Sequence, residues 1–335
     1  MDTLLAHLLE AASRAPSAHN TQPWRLRWRK DELQVYVSEK RMLRIADPEG
    51  FDTLHAIGAV LENLLLTLRQ LGFEGEYQVT DNWNLSKPVV RIRWRSVAGL
   101  TPDPTLYRMI PIRRTSRLTY LHEPIVPRIL AEISAAVACP SKLYLLTDPA
   151  AIAETRSLAA RSGAQALGNR DYAAELYRWM RFSRRDSSWY RDGLNAECMG
   201  WNAVEAGLAR QFLKPTFATI LAKSRWTRWL YADPDEQAPF APALCLLTSA
   251  DSSFAGHLNA GRNLQRVWLT ASAHGLVTHP ISAAVDYPSS RGRVLELFGV
   301  GRGEIHINLF RLGKSSKTAA RSARLPADEL LEAHD

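Results

Sequence analysis

Cysteine is scarce in this chain of 335 residues: Cys139, Cys198 and Cys245 are the three, and no two share a CxxC spacing. So sparse and odd a set argues against a disulfide framework and fits a reducing compartment, so a cytoplasmic location is expected. Cys245, inside the apolar run from Pro242 to Leu247, reads as a small buried hydrophobe. No uninterrupted apolar stretch reaches the roughly 18 residues of a membrane span, and no membrane partner is expected. The first residues carry Asp2 and Glu10 and no basic flank, which reads as an amphipathic helix and not a signal peptide. Ser-His-Asp, Walker and metal-spaced His/Cys patterns are missing as well, so no metal site is expected. The net charge of +8 comes mainly from scattered arginines that match no RNP, zinc-finger or helix-turn-helix pattern. Nucleic acid is therefore not the expected partner. An anionic small molecule is, because a positive cleft concentrates such ligands.

What is present is an ordinary globular composition, 46% apolar and 23% charged, in a chain long enough for one large domain or two. Periodicity predicts helices over Leu4–Ser13, Asp52–Leu71, Ile125–Val137, Pro149–Ser162, Asp171–Phe182, Asn202–Trp229, Gly261–His274 and Ser290–Phe298. Strands are expected at Leu33–Val37, Val89–Trp94, Lys142–Thr147, Ala241–Thr248 and Glu304–Leu312. Gly99–Pro104 is the best linker candidate. Helices and strands interleave without a strict βαβ rhythm, which predicts an α+β fold with one mixed β-sheet flanked by helices. Acidic pairs such as Asp47/Glu49 read as loops or helix caps.

An internal repeat adds to this. The segment from Gly58 to Phe73 aligns without gaps with that from Gly261 to Leu276, sharing Gly58/Gly261, Leu61/Leu264, Leu66/Leu269, Thr67/Thr270 and Gly72/Gly275. Amphipathic spacing and a terminal glycine also arise locally in unrelated helices, so the repeat alone leaves both explanations open.

Four short segments carry chemistry. Arg14 to Trp24 contains Pro16, Ser17, Asn20, Gln22 and Pro23, and its two prolines fix φ so that a rigid loop can hold polar groups in place. An ordinary capped turn with a core tryptophan is the plainer reading. Arg113, Arg114, Thr115 and Arg117 precede a helical stretch, where charge-assisted donors suit an anion, or else form a solvated basic turn. His279-Pro280-Ile281-Ser282-Ala283 follows the second repeat helix, and Arg321 and Arg324 lie in a basic tail.

Taken together, these segments resemble the FMN-dependent nitroreductase family, and most closely its Acg-type subgroup. The resemblance covers most of the chain and is thin over 80–105 and 165–240. It implies a nitroreductase-like fold whose two halves, normally separate subunits, are fused as an internally duplicated pseudo-dimer. The halves would be 1–105, truncated, and 106–335, the latter with a helical insert or lid near 165–240. It implies one FMN site, with Arg14, Pro16, Ser17, Asn20 and Gln22 toward the ring. Arg113, Arg114, Thr115, Arg117, Arg321 and Arg324 would face the phosphate. Pro280, Ile281, Ser282 and Ala283 would form the turn whose backbone N–H, at Ser282, faces flavin N5, so no side chain is catalytic. His279 would be a wall residue, and Arg14 and Arg25 are candidates for the cation near N1. NAD(P)H is the implied co-substrate, and a small planar acceptor or organic substrate the second. A monomer is expected, since a pseudo-dimer already buries the usual subunit interface. Tyr177, Trp179, Phe182, Trp189 and Tyr190 of the insert would either cover the flavin or bury themselves in a helical hairpin. If the insert occludes the site, the protein is a non-catalytic flavin-binding or sequestering protein.

Overall fold

A two-residue turn opens the first sheet. In the computed structural model, which describes residues 3–222 and 241–332, the chain doubles back at Lys30-Asp31. This pairs β1 (Trp24–Arg29) with β2 (Glu32–Val37) as a hairpin, Trp24 opposite Val37. A second hairpin joins β3 (Phe73–Val79) to β4 (Val90–Ser96), and β4 docks on β2 with Val35 opposite Val90. The resulting order is β1-β2-β4-β3. β3 is not anticipated from sequence because Glu74, Glu76 and Gln78 break its apolar pattern. They form the exposed face of an edge strand, where charge discourages further pairing.

The second sheet uses β5 (Ser141–Leu146), β8 (Ala243–Ser249), β9 (Val277–Pro280) and β10 (Ile305–Gly313) in the order β5-β8-β10-β9. Every residue of β8 is buried, as its unbroken Ala-Leu-Cys-Leu-Leu run requires. Between β5 and β8, the two-residue strands β6 (Met180–Arg181) and β7 (Leu194–Asn195) pair in parallel within the insert. The α+β expectation holds. The single mixed sheet does not: both four-stranded sheets are antiparallel throughout.

Two 20-residue helices, Phe51–Gln70 and Phe254–Ala273, cross between the sheets. The second begins earlier than Gly261 because Ser253 Oγ accepts from Gly256 N at 3.0 Å and caps it. The helices touch at the repeat glycines. A Cβ on Gly58 would lie 2.0 Å from the Leu258 carbonyl oxygen, and one on Gly261 2.2 Å from that of His55. Only hydrogen fits at either position. Beside them Gln265 donates to Asn63 at 2.7 Å, and buried Glu62 accepts from Arg266 at 2.6 Å and Arg262 at 2.9 Å. By length and composition Phe51–Gln70 could cross a membrane, but 78% of that window is buried in protein, as in a core helix.

The stretch expected as one helix over Asn202–Trp229 divides into Ala203–Phe212 and Pro215–Ala222, since Pro215 cannot continue the first. Its remainder lies outside the described residues. After β10 the chain returns to the first sheet, where Glu332 N donates to Leu26 O at 2.8 Å and Leu331 bridges Leu26 in parallel. Leu325 and Leu330 join the core cluster of Leu8, Leu9, Trp24 and Leu26.

Candidate functional site

Five arginines converge on one pocket. Arg14, Arg113, Arg114, Arg321 and Arg324 line it together with Ile110, Pro111 and Ser322, and no carboxylate is among the lining residues. Arg113 is 8% exposed, and its Nε and Nη1 find no partner among the described residues. Its guanidinium lies over the Trp268 ring at 5.5 Å. Burial pushes Arg113 down to about 10, and burial with Arg113 and Arg14 nearby pushes Arg324 down to about 9. Arg114 is lowered too, by burial and then by Arg321, while its Nη1 donates to Ala319 O at 2.7 Å. Buried cations that lack a counter-charge are costly, and an anion with several acceptor oxygens removes that cost. Thr115 and Arg117 stand apart from this pocket. The backbone of Thr115 bridges Thr278 on β9, and Ser116 N donates to Thr278 O at 3.0 Å. Arg117 donates to Cys198 O at 3.3 Å, and burial lowers its pKa.

The loop after Arg14 is held in an unusual conformation. His19, Asn20 and Gln22 have φ of 48°, 54° and 52°, a region non-glycine residues seldom enter. Ser17 Oγ accepts from Gln22 N at 2.9 Å inside the loop. Asn20 and Gln22 spend their side chains on protein. Asn20 Nδ2 donates to Gly193 O at 3.1 Å and Ala323 O at 2.9 Å, while its Oδ1 accepts from Arg324 at 2.5 Å. Gln22 Nε2 donates to Arg191 O at 2.9 Å and its Oε1 accepts from Leu325 N at 2.9 Å. Both residues thus tie the loop to the insert and the C-terminal tail. His19 was not singled out from sequence. Its Nδ1 is buried without a partner among the described residues, and burial lowers its pKa to about 4, so it is neutral near pH 7.

β9 delivers the turn at 280–283. Ile281 N donates to Leu309 O at 2.7 Å, and Ser282 Oγ accepts from Leu309 N at 3.3 Å. The N–H groups of Ser282 and Ala283, at the start of the Ala283–Asp286 turn of helix, donate to no described residue. His279 Nδ1 faces Arg311 Nη2 at 2.8 Å. A guanidinium only donates, so Nδ1 accepts and the ring is neutral. Burial, Arg311 and Arg117 hold His279 well below the usual imidazole range. A buried neutral imidazole bonded to Arg311 has no proton to give from Nδ1 near pH 7. Arg25 turns to Trp24 O at 2.7 Å, with Arg41, Glu332 and Glu329 the nearest charges, and does not line the arginine pocket.

The insert's aromatics divide. Trp179 and Trp189 are buried, Tyr177 and Phe182 pack together at 5.4 Å, and Tyr190 is 70% exposed. Residues 223–240 of the expected lid lie outside the described residues. Asp47, in the loop before the helix whose N-cap position is Gly50, accepts from Thr53 N at 2.9 Å and Asp52 N at 3.1 Å, in keeping with the expectation of a loop or cap residue. Among the described residues no cluster of His, Cys, Asp or Glu could hold a metal ion.

No protein-family model matches the chain. It is 27% identical over 306 residues to a Mycobacterium tuberculosis protein provisionally named NAD(P)H nitroreductase Rv3131, covering 88% of this chain and 80% of that one. With the acg protein of the same organism, also provisionally named an NAD(P)H nitroreductase, it shares 23% over 296 residues, or 87% and 83% of the two chains. Among solved structures, the FMN-bound nitroreductase of Bacteroides fragilis overlaps at a TM-score of 0.39 with 13% identity, over 66% of this chain and 94% of that one. NfnB of Mycobacterium smegmatis, solved with NADPH, overlaps at 0.39 with 17% identity, over 68% and 97%.

Proposed function

From its kinship with the Acg-type nitroreductase-like proteins, we propose that the chain is an FMN-dependent oxidoreductase with a single site. It would work by two-electron hydride transfer between NAD(P)H, or an organic substrate, and a second small planar molecule. The observation that carries this reading is the pocket of Arg14, Arg113, Arg114, Arg321 and Arg324, a set of forked donors matched to a phosphate with no carboxylate lining the pocket, although Arg14 also pairs with Glu10 at 3.2 Å. When bound, FMN supplies a ring that accepts a hydride at N5 and passes it on. The chain's own part is to hold and orient. Arg113, Arg114 and Arg324 neutralise the phosphate, with Arg14 and Arg321 beside them. The rigid loop from Pro16 to Gln22 presents its backbone and Ser17 to the ring. The free N–H groups of Ser282 and Ala283 are the donors for the N5 edge. Neutral His279 and buried Arg117 wall the cavity without offering a proton near pH 7.

We read the two sheets with their crossing helices as fused halves, 1–105 and 106–335. Gly58 meets Leu258 as Gly261 meets His55, the reciprocal contact a two-fold interface would leave. A monomer follows from this, with small-molecule partners only. A second reading, flavin sequestration without turnover, draws support from the hydrogen bonds that fasten the insert to the flavin loop at Asn20 and Gln22.

One experiment tests the assignment and separates the two. Purified protein mixed with FMN should show protein-bound flavin absorbance. Replacing Arg113 or Arg324 with Ala should weaken binding by roughly 1.5–3 kcal/mol each, the worth of a charge-assisted hydrogen bond. A wild-type protein that takes up no FMN ends both readings. Anaerobic bleaching of the bound flavin by NADH or NADPH supports turnover, and its absence leaves sequestration.

A further inference from the structure

Resting on that reading of the flavin site, we propose that the turn Arg191-Asp192-Gly193 of the insert fastens the flavin loop in its strained form, with Asp192 as the positioning residue. The loop's left-handed residues need compensation from outside, since each such conformation is costly for a side chain with a Cβ. Two of the three left-handed residues, Asn20 and Gln22, receive it directly from this turn, and Thr21 between them, itself in ordinary right-handed conformation, is reached through Arg41. Asn20 and Gly193 pair reciprocally: Nδ2 donates to Gly193 O at 3.1 Å, and Gly193 N donates to Asn20 O at 3.2 Å. Gln22 Nε2 donates to Arg191 O at 2.9 Å. Thr21 O accepts from Arg41 Nη1 at 2.9 Å, and that same nitrogen lies 2.9 Å from Asp192 Oδ2.

Asp192 closes the arrangement. Its second oxygen accepts from Arg181 Nη2 at 2.6 Å, so one carboxylate, 6% exposed, joins an arginine of the first half to one of the insert. Arg41 and Arg181 also flank the buried Trp179 ring, at 6.0 and 5.8 Å. Gly193 permits no replacement, because φ is +74° and a Cβ would lie 2.4 Å from Trp179 O. Across the loop, Asn20 Oδ1 accepts a hydrogen bond from Nη1 of Arg324, one of the pocket arginines. The insert therefore reaches the phosphate pocket by one path, Gly193 to Asn20 to Arg324, while Asp192 holds the same loop through Arg41 and Thr21 O. In this arrangement the insert at 189–195 is a fixed wall whose removal loosens the cofactor.

Asp192→Asn keeps the shape and removes the charge. Backbone amide exchange over residues 17–25 of the FMN-free protein should rise, and FMN affinity should fall by about tenfold or more, as loss of a charge-assisted contact implies. The visible circular dichroism of flavin at saturating FMN should also change, a signature that a general loss of stability would not produce. Arg41→Gln should reproduce these effects while leaving the Asp192–Arg181 pair intact, which serves if Asp192→Asn fails to fold, and Arg41→Lys should restore them in part. Glu197→Gln, which removes only the insert's exposed pair with Arg184, should change none of them. Unchanged loop exchange in Asp192→Asn and Arg41→Gln, or faster exchange confined to residues 170–200, overturns the proposal. Loop exchange is read without FMN, so failure of the flavin assignment is seen separately, as a wild type that binds none.

Discussion

Burial, with Asp52 next, raises the Asp286 carboxyl from 3.8 to about 8, although 55% of its side-chain surface is open and His306 Nε2 lies 3.8 Å away. Between those two values the folded protein keeps a proton that the unfolded chain has released, so this group's contribution to stability falls as pH rises through the window. His19, His257 and His306, lowered to about 4 by burial, act in the opposite sense and favour the folded state as pH rises toward 6.5. The Asp286 effect is isolated by comparison. The stability advantage of Asp286→Asn over the wild type should grow from pH 4 to pH 8 and then level off, by an amount that open solvent keeps modest. Urea midpoints across that range check it, and a difference that does not vary with pH refutes it. The sequence carried no signal for Asp286 or His19, because their environments come from residues distant in the chain. Arg113, Arg114, Arg321 and Arg324, which line one pocket, were joined in the sequence only by the family resemblance, since each basic segment alone also reads as solvated charge. Asn20 and Gln22 were legible as important positions but not as clasps, as their partners at 191–193 and 323–325 cannot be inferred from the loop itself.

Elements with their own internal period were read well, and elements defined by neighbours were not. The Phe51–Gln70 helix and the β8 run follow from spacing and apolarity. The edge strand β3 and the short β9 exist because β4 and β10 offer them a partner. Two antiparallel sheets in place of one mixed sheet have the same origin, for strand direction is set by connections that periodicity does not report. The repeat glycines sit between these cases. Alignment singled out Gly58 and Gly261 without a reason, and the helix crossing supplies it. Gly58→Ala must push its Cβ against a backbone carbonyl that cannot turn aside, so the helices separate. A loss of about 1–3 kcal/mol or more is expected, the scale of overpacking in a core. Thermal unfolding followed by circular dichroism measures it. Gly72→Ala is not the matching control, since φ there is +85°, but Gly207→Ala is, because nothing lies within 4 Å of its Cβ position.

At the scale of the molecule, the C-terminal tail does what no local element can. After β10 it leaves the second sheet, and Arg321 and Arg324 enter the arginine pocket on the way. Leu325 N is then given to Gln22, Arg191 is paired with Glu329, and Leu331 and Glu332 meet the edge of the first sheet at Leu26. Glu332 also pairs with Arg27 at 2.9 Å, and Leu330 is fully buried in the first core. One segment thus touches both sheets, Arg191 and the loop at Gln22. Removal of residues from Pro326 onward leaves every pocket arginine in place, so a purely local view of the site expects no change in FMN affinity. The connected view expects two losses together. Losing the buried Leu330 side chain alone forfeits roughly 1.5–3 kcal/mol of burial, and freeing Arg191 from Glu329 loosens the turn that holds Asn20 and Gln22. Urea unfolding and FMN titration on the same truncated protein decide between them. A lower midpoint with unaltered FMN affinity would make the tail a strap for the first sheet only, whereas a fall in both makes it part of the site.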